Sequence, residues 1–320
     1  MELTYALIVQ ASQMALVLLL APLLTGFVRK VRARLLRRQG SGLLQPYRDL
    51  LRLMRKEAVL ADNASWLFRV APYLIFAATW VAAALIPTFA KGLLFSWTAD
   101  LIAITALLGS ARFFQALAGL DVGTSFGGIG SSREVLISSL AEPAMLLTVF
   151  TISLVAGSTQ LSTIAEFMAS PEVGLRISLG LALVALIMIA LAENSRMPVD
   201  NPATHLELTM VHEAMLLEYS GRHLAMIEFA SALKLLLYIS LIVAVFLPGG
   251  LAPVGAGIDA YLLGGLAYLA KLALSGAFLA VIEVMFAKMR VFRVPDFLSV
   301  ALMLGLLATL LLFVSGGPSR

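Results

Sequence analysis

Eight apolar runs follow one another along the chain, at roughly 4–27, 70–90, 99–119, 134–157, 174–194, 224–247, 258–286 and 297–315. A helix rises about 1.5 Å per residue, so some 20 apolar residues cross the hydrocarbon of a bilayer. A soluble core would not need such runs in series. Composition agrees: 60% of the 320 residues are hydrophobic and 13% charged, about half the charged share of an ordinary soluble domain. Mean hydropathy is +0.95. A transmembrane barrel would show short alternating segments, which are absent. The pattern predicts an all-α polytopic membrane protein with about eight transmembrane helices, built as a single integral membrane domain over 1–320.

The connecting segments sort by charge. Segments 28–69, 120–133, 195–223 and 287–296 hold nearly all the basic residues, whereas the other side holds Lys91, Arg176 and Arg320. The positive-inside rule assigns the basic set to the cytoplasm and both termini to the outside of a prokaryotic cell (inner) membrane. Ten of the 23 basic residues lie between Arg29 and Lys56, so the net charge of +4 is a local excess and no signature of nucleic-acid binding. The first run is long enough to span and is followed by basic residues that stop transfer, so no cleavable signal is expected. Within 28–69, Leu43, Leu44, Tyr47, Leu50, Leu51 and Met54 recur at helical spacing among charged residues. They predict an amphipathic cytoplasmic helix at the interface, where Arg48, Asp49 and Arg52, with Arg133 of the second basic segment, are candidates for docking a soluble partner.

Several function classes are excluded or disfavoured. There is no cysteine, which removes thiolate-held iron–sulfur clusters, a cysteine-ligated nickel–iron centre and disulfides from this chain. No metal site is expected: His205 and His212 stand seven apart and form no recognised ligand pair, even with Glu213 beside them. The glycine-rich stretch Gly123–Gly130 lacks the lysine and the βαβ context of a phosphate cradle and suits tight packing instead. No internal repeat supports a transporter built from two inverted halves.

Two sets of polar residues remain. Between Glu193 and Glu218, acids, histidines, Arg196 and two prolines crowd into 26 residues between apolar runs. Several ionisable residues lie inside the runs themselves, Arg112, Glu134, Glu142, Glu193, Glu228, Lys234, Lys271 and Glu283 among them. Such groups are costly in hydrocarbon and mark working sites. Glu134 and Glu142, eight apart, share roughly one helix face, and Pro143 frees backbone carbonyls beside them. Glu207 and Glu218, 11 apart, would share a face of a continuous helix. Lys271 and Glu283 would differ in depth by about 18 Å. Carboxylates and lysines strung together in this way suit a proton path, whereas direct sodium coordination would want clustered oxygens.

The central segment, Ala192-Glu193-x-x-Arg196-x-Pro198-x-Asp200-x-Pro202 followed by Glu207-Leu208 and Glu218-Tyr219-Ser220-Gly221, resembles the signature of the complex I membrane subunit 1 family. That family includes the corresponding subunits of energy-converting nickel–iron hydrogenases and formate hydrogenlyase. Gly42-Leu43-Leu44-Gln45-Pro46-Tyr47-Arg48-Asp49-Leu50, Gly130-Ser131-Ser132-Arg133-Glu134 and Phe292-Arg293-Val294-Pro295-Asp296 resemble further pieces in the same order. The first of these, with Gly119-Leu120-Asp121 and Ala156-Gly157-Ser158-Thr159, looks like the hydrogenase-4 and formate hydrogenlyase branch. Ala203-Thr204-His205-Leu206 stands where the complex I branch has more acids, a departure from a complex I quinone pocket.

The resemblance implies an eight-helix, non-catalytic subunit with no redox centre of its own. It would join a peripheral arm of hydrogenase-type large and small (iron–sulfur) subunits, which would carry the nickel–iron centre and the clusters, to antiporter-like membrane subunits. By motif, Glu142, Glu193, Glu207 and Glu218 carry over as ion-path acids, while Arg196, Pro198, Asp200 and Pro202 shape the loop. Glu134, Glu213, Glu228, Lys234, Lys271 and Glu283 join the path on placement alone. The alternatives are a quinone-site subunit of complex I, an autonomous ion-coupled transporter and a passive scaffold.

Overall fold

The computed structural model describes residues 2–92, 95–170, 176–200, 210–253 and 255–314. Among them the protein is helical throughout: α1 (Glu2–Leu35), α2 (Gln45–Met54), α3 (Trp66–Leu85), α4 (Leu101–Asp121), α5 (Ser125–Ala156), α6 (Leu161–Met168), α7 (Ile177–Glu193), α8 (His212–Leu216), α9 (Gly221–Phe246), α10 (Ile258–Met285) and α11 (Val294–Val314). Seven of these are long and apolar enough to cross a membrane: α1, α3, α4, α5, α9, α10 and α11. The span expected at 174–194 is α7, apolar but 17 residues long.

The most enclosed of the seven long helices is α9, which packs on α1, α3 and α7. A second group, α5, α7 and α11, packs beside it, and α10 lies on α1. The shared core is aliphatic, with Leu186, Ile189, Leu233 and Leu236 fully buried where α7 meets α9. Polar residues mark the helix ends. Asp100 accepts from the Ile102 amide (2.7 Å) and from the Thr159 hydroxyl (2.6 Å), so one carboxylate caps α4 and ties it to the chain after α5. Gln13 Nε2 donates to the carbonyls of Ala84 (2.9 Å) and Ile86 (2.7 Å), satisfying acceptors that the end of α3 leaves free.

Three boundaries differ from the sequence expectation. Segment 28–69 is helical through Leu35, because α1 runs on past its apolar stretch. Segment 120–133 is helical from Ser125, where the Thr124 hydroxyl accepts from the Gly127 amide and starts α5. Two of its glycines are sites of close approach: a Cβ on Gly127 would collide with the Gly119 carbonyl, and one on Gly130 would press on Ala214 and Met215 of α8. The third difference concerns Glu218. Between Met210 and Gly221 only His212–Leu216 is helical, so no continuous helix carries Glu218 back toward 207. Glu207, Pro202 and His205 lie outside the described residues.

The four basic segments gather at one end of the bundle, called the basic end below. The Ser65 amide donates to Asp121 (2.8 Å), Ser220 bridges to Val59, and the Met289 amide donates to Pro198 O (2.8 Å). The opposite end is stitched separately, by Lys91–Glu166 (4.0 Å) and by pairing of Ala90 with Ala252.

Candidate functional site

Arg112, halfway along α4, is 5% exposed and faces three carboxylates. Its Nε lies 3.4 Å from Glu134 and its Nη1 3.7 Å from Glu142, both on α5, while Nη2 meets Glu193 at the end of α7. Lys234 of α9 approaches the same Glu193 oxygen at 3.0 Å. Four helices thus supply one cluster of three carboxylates and two cations. Fully ionised, it holds one negative charge more than its cations cancel, in surroundings where uncompensated charge is expensive.

Glu134 and Glu193 are buried, whereas the Glu142 side chain is 49% exposed, on an α4–α5 face of apolar neighbours that include Pro143, Leu146 and Phe150. Toward the basic end the cluster opens on a cavity of about 30 Å³, lined by Arg112, Gln115, Glu193, Asn194, Ser195, His212 and Lys234 among others. That is room for one or two waters. Arg112 Nε and Nη1 and Asn194 Oδ1 make no aligned hydrogen bond to the described residues, so polar atoms are available to solvate.

His212 opens α8 and pairs through Nδ1 with Gln115 Nε2 at 2.9 Å. Burial holds its pKa below the ordinary 6.5, opposed by the nearby Glu134 and Glu213 carboxylates. Arg133 donates to Met210 O (2.6 Å), which seats the chain entering α8 on α5.

A second ion-pair site holds the segment after α7. Ser195 turns the chain with a left-handed backbone (φ 49°), and Arg196 then reaches Glu283 of α10 at 3.0 Å. Arg32 of α1 approaches the other Glu283 oxygen at 3.4 Å. Asp200, 3% exposed, pairs with Lys288 at 2.7 Å. Glu283 therefore anchors the loop in which Arg196 and Asp200 sit, away from the Arg112 cluster.

The Tyr219-Ser220-Gly221 turn clamps the first basic segment. Tyr219 stacks on Phe68 (centroids 3.9 Å apart) and donates to its carbonyl at 3.1 Å. Burial, then the Asp121 charge, push its hydroxyl well above the usual phenol range, so it stays a donor. Ser220 Oγ accepts from the Val59 amide (2.8 Å) and donates to the Val59 carbonyl (2.9 Å). Gly221 has φ 51°, and a Cβ there would strike the Glu57 carbonyl.

The remaining residues stand apart. Lys271 donates to the Leu247 and Gly249 carbonyls beyond the end of α9. Glu228 is exposed, and Glu213 and Glu218 are half-buried. Arg48 and Arg52 are exposed on α2, and Asp49 accepts from Gln45 (3.0 Å) and Arg52 (3.5 Å). In the sequence, Arg112 is one of several ionisable groups within apolar runs and is not marked out as an ion-path residue. Its hub position, like the roles of Arg32, Lys288 and Gln115, arises from helix packing. A lone arginine midway through an apolar run was the available signal.

The NADH dehydrogenase family model matches residues 8–314. Hydrogenase-4 component C of Escherichia coli (strain K12) is 36% identical over 78% of this chain and 78% of its own length. Formate hydrogenlyase subunit 4 of the same organism is 37% identical over 72% and 74%. NADH-ubiquinone oxidoreductase chain 1 of Triticum aestivum is 30% identical over 73% and 74%. A solved chain of the membrane-bound sulfane sulfur reductase, an archaeal respiratory membrane complex, shares the fold with a TM-score of 0.79 at 19% identity, over 95% of this chain and 98% of that one. A family model spanning nearly the whole chain, and relatives above 30% identity over more than two thirds of it, make this a multi-pass membrane protein of the NADH dehydrogenase subunit 1 family.

Proposed function

We propose that this chain is the membrane anchor and ion-path subunit of a hydrogenase-4-type complex, coupling electron transfer in a peripheral arm to proton or sodium translocation. The observation that carries the reading is the Arg112 cluster. Three carboxylates and two cations leave one charge that a single proton would neutralise, and the cluster spans from a polar cavity on the basic side to the exposed Glu142. A proton or other cation would enter at the cavity near His212, exchange among Glu193 and Glu134 across Arg112, and leave at Glu142. A half-exposed carboxylate among apolar side chains is costly against lipid, which favours a neighbouring membrane subunit, antiporter-like in this reading, covering Glu142. Lys234 would tune Glu193 as the proton moves.

The basic end would face the cytoplasm, with both termini outside. The exposed Arg48 and Arg52 would meet the peripheral subunits that hold the nickel–iron centre and iron–sulfur clusters. Glu207, Glu213, Glu218 and Glu228 would act at the approach to the cavity. Lys271 and Glu283 lie off this line and are proposed as anchors of the far helix end and of the 194–200 loop. A hydrogenase-type arm is favoured over a quinone site by the 36–37% identity to hydrogenase-4 and formate hydrogenlyase subunits, against 30% to the NADH-ubiquinone relative.

Two experiments test the proposal. A mild-detergent pulldown of this chain with metal analysis should recover nickel, iron and a cysteine-rich large subunit. Iron without nickel, together with bound quinone, would transfer the chain to the complex I branch. In inverted membrane vesicles, Glu142→Gln should leave the complex assembled and reducing its acceptor while ion uptake falls. Full uptake in that variant would remove Glu142 from the path.

A further inference from the structure

At its basic end α1 continues past its apolar stretch into Arg29, Lys30, Arg32 and Arg34. Its 34 residues extend about 51 Å, against roughly 30 Å of hydrocarbon, so the last turns lie at the headgroup level or beyond. There the chain doubles back. Gly26 lies so close to the Leu43 carbonyl that a Cβ would collide with it, and Gly40 packs against Ala33. The fold-back leaves an open cleft of about 500 Å³ lined by Phe27, Lys30, Val31, Arg34, Leu35 and Leu43. This is within the roughly 300–1,000 Å³ range of small-molecule clefts.

The lining is ordered by type. Phe27, Val31 and Leu35 recur every four residues and form one row along α1. Lys30 and Arg34, also four apart, form the adjacent row. The helix also sorts its cations. Arg32 turns inward to Glu283, whereas no described carboxylate lies within 4.0 Å of Lys30, Arg34, Arg37 or Arg38. An apolar row beside an unpaired basic row at headgroup depth complements a molecule with an acyl chain and an anionic head. Juxtamembrane basic clusters and basic clefts beside membrane helices attract such lipids.

We propose that this cleft binds one anionic phospholipid. Lys30 and Arg34 hold the headgroup phosphate, and an acyl chain lies along Phe27, Val31, Leu35 and Leu43. The site is independent of ion coupling and rests on the chain's placement in a bilayer. A lipid seated there would fix the α1–α2 connection against the helix end.

The test is native mass spectrometry of the full-length protein released from nanodiscs of mixed phosphatidylcholine and phosphatidylglycerol. The wild type should retain phosphatidylglycerol over phosphatidylcholine. K30Q/R34Q should lower that retention at least about tenfold, since each basic residue near an anionic surface contributes roughly fivefold. V31W, which fills the cleft with both charges intact, should also lower it. R290Q/R293Q, exposed elsewhere on the basic end, should not. Unchanged retention in K30Q/R34Q or V31W, or an equal loss in R290Q/R293Q, would overturn the site in favour of general surface attraction. Recovery of a quinone from the cleft in place of phospholipid would overturn the choice of occupant.

Discussion

Arg112 is stable in the membrane because three carboxylates face it, and those carboxylates are tolerated because Arg112 and Lys234 face them. Removing one partner of such a set leaves buried charge uncompensated and costs about 3–5 kcal/mol. Arg112→Met should therefore lower the thermal unfolding temperature in detergent markedly. Adding Glu193→Gln to it should restore part of the loss, because the two residues are directly coupled. A double variant no more stable than Arg112→Met would show that Glu193 draws its support from Lys234 instead. His212 adds a pH dependence. Its folded pKa lies below 6.5, so an unfolded or undocked segment binds the proton first as pH falls. Docking of α8 carries no such penalty above about pH 6.5 and weakens progressively below it. Amide protection over 210–217, taken relative to the intrinsic exchange rate at each pH, should fall between pH 7 and pH 5. His212→Gln should flatten that response, and a variant as pH-sensitive as the wild type would assign it to the neighbouring acids.

The helices owe their placement to short connectors as much as to apolar faces. The Tyr219–Gly221 turn joins the basic segment to the start of α9 through a ring stack on Phe68, two serine hydrogen bonds to Val59 and a backbone approach to Glu57 that excludes any side chain. Gly221→Ala combines a left-handed backbone with a direct clash, a strain of order 1–3 kcal/mol before any displacement of the segment. It should expose 56–65 to limited proteolysis while α9 stays helical. Ser220→Ala, which loses two hydrogen bonds without a clash, should loosen the same segment by about 1–3 kcal/mol in local exchange. Protection unchanged in both variants would move the clamp to the Tyr219–Phe68 stack. The 194–200 loop is held differently, by charge. Glu283→Gln should weaken the hold on Arg32 and Arg196 together, and exchange over 194–200 should rise. The bundle itself should persist, because its α7–α9 core is aliphatic.

Across the molecule, ion pairs among the described residues concentrate at the basic end and in the Arg112 cluster. The opposite end has a single ion pair, Lys91–Glu166, among the described residues. Much of this division was legible in the primary structure. Apolar runs located the helices to within several residues, since hydrocarbon thickness sets a minimum length that composition must meet. The segments that share basic residues lie together at one end of the bundle, and Glu193, which opens the crowded segment, meets Arg112 and Lys234. The helix ends were less legible. The starts of α5 at Ser125 and α9 at Gly221, and the extension of α1 to Leu35, depend on caps and on contacts outside the apolar stretch, which hydropathy does not record. What the chain's own chemistry settles is therefore its class: length of apolar run, lack of cysteine and charge asymmetry are local properties that no packing can reverse. What only the tertiary structure decides is partnership. Glu134, Glu142, Glu193 and Lys234 are separated by up to 100 positions and become one site because α4 carries Arg112 between them. Glu283 is taken out of that site because Arg32 and Arg196 reach it first. Ion pairs act over a few ångströms, and distance in sequence carries almost no information about that separation once helices pack side by side.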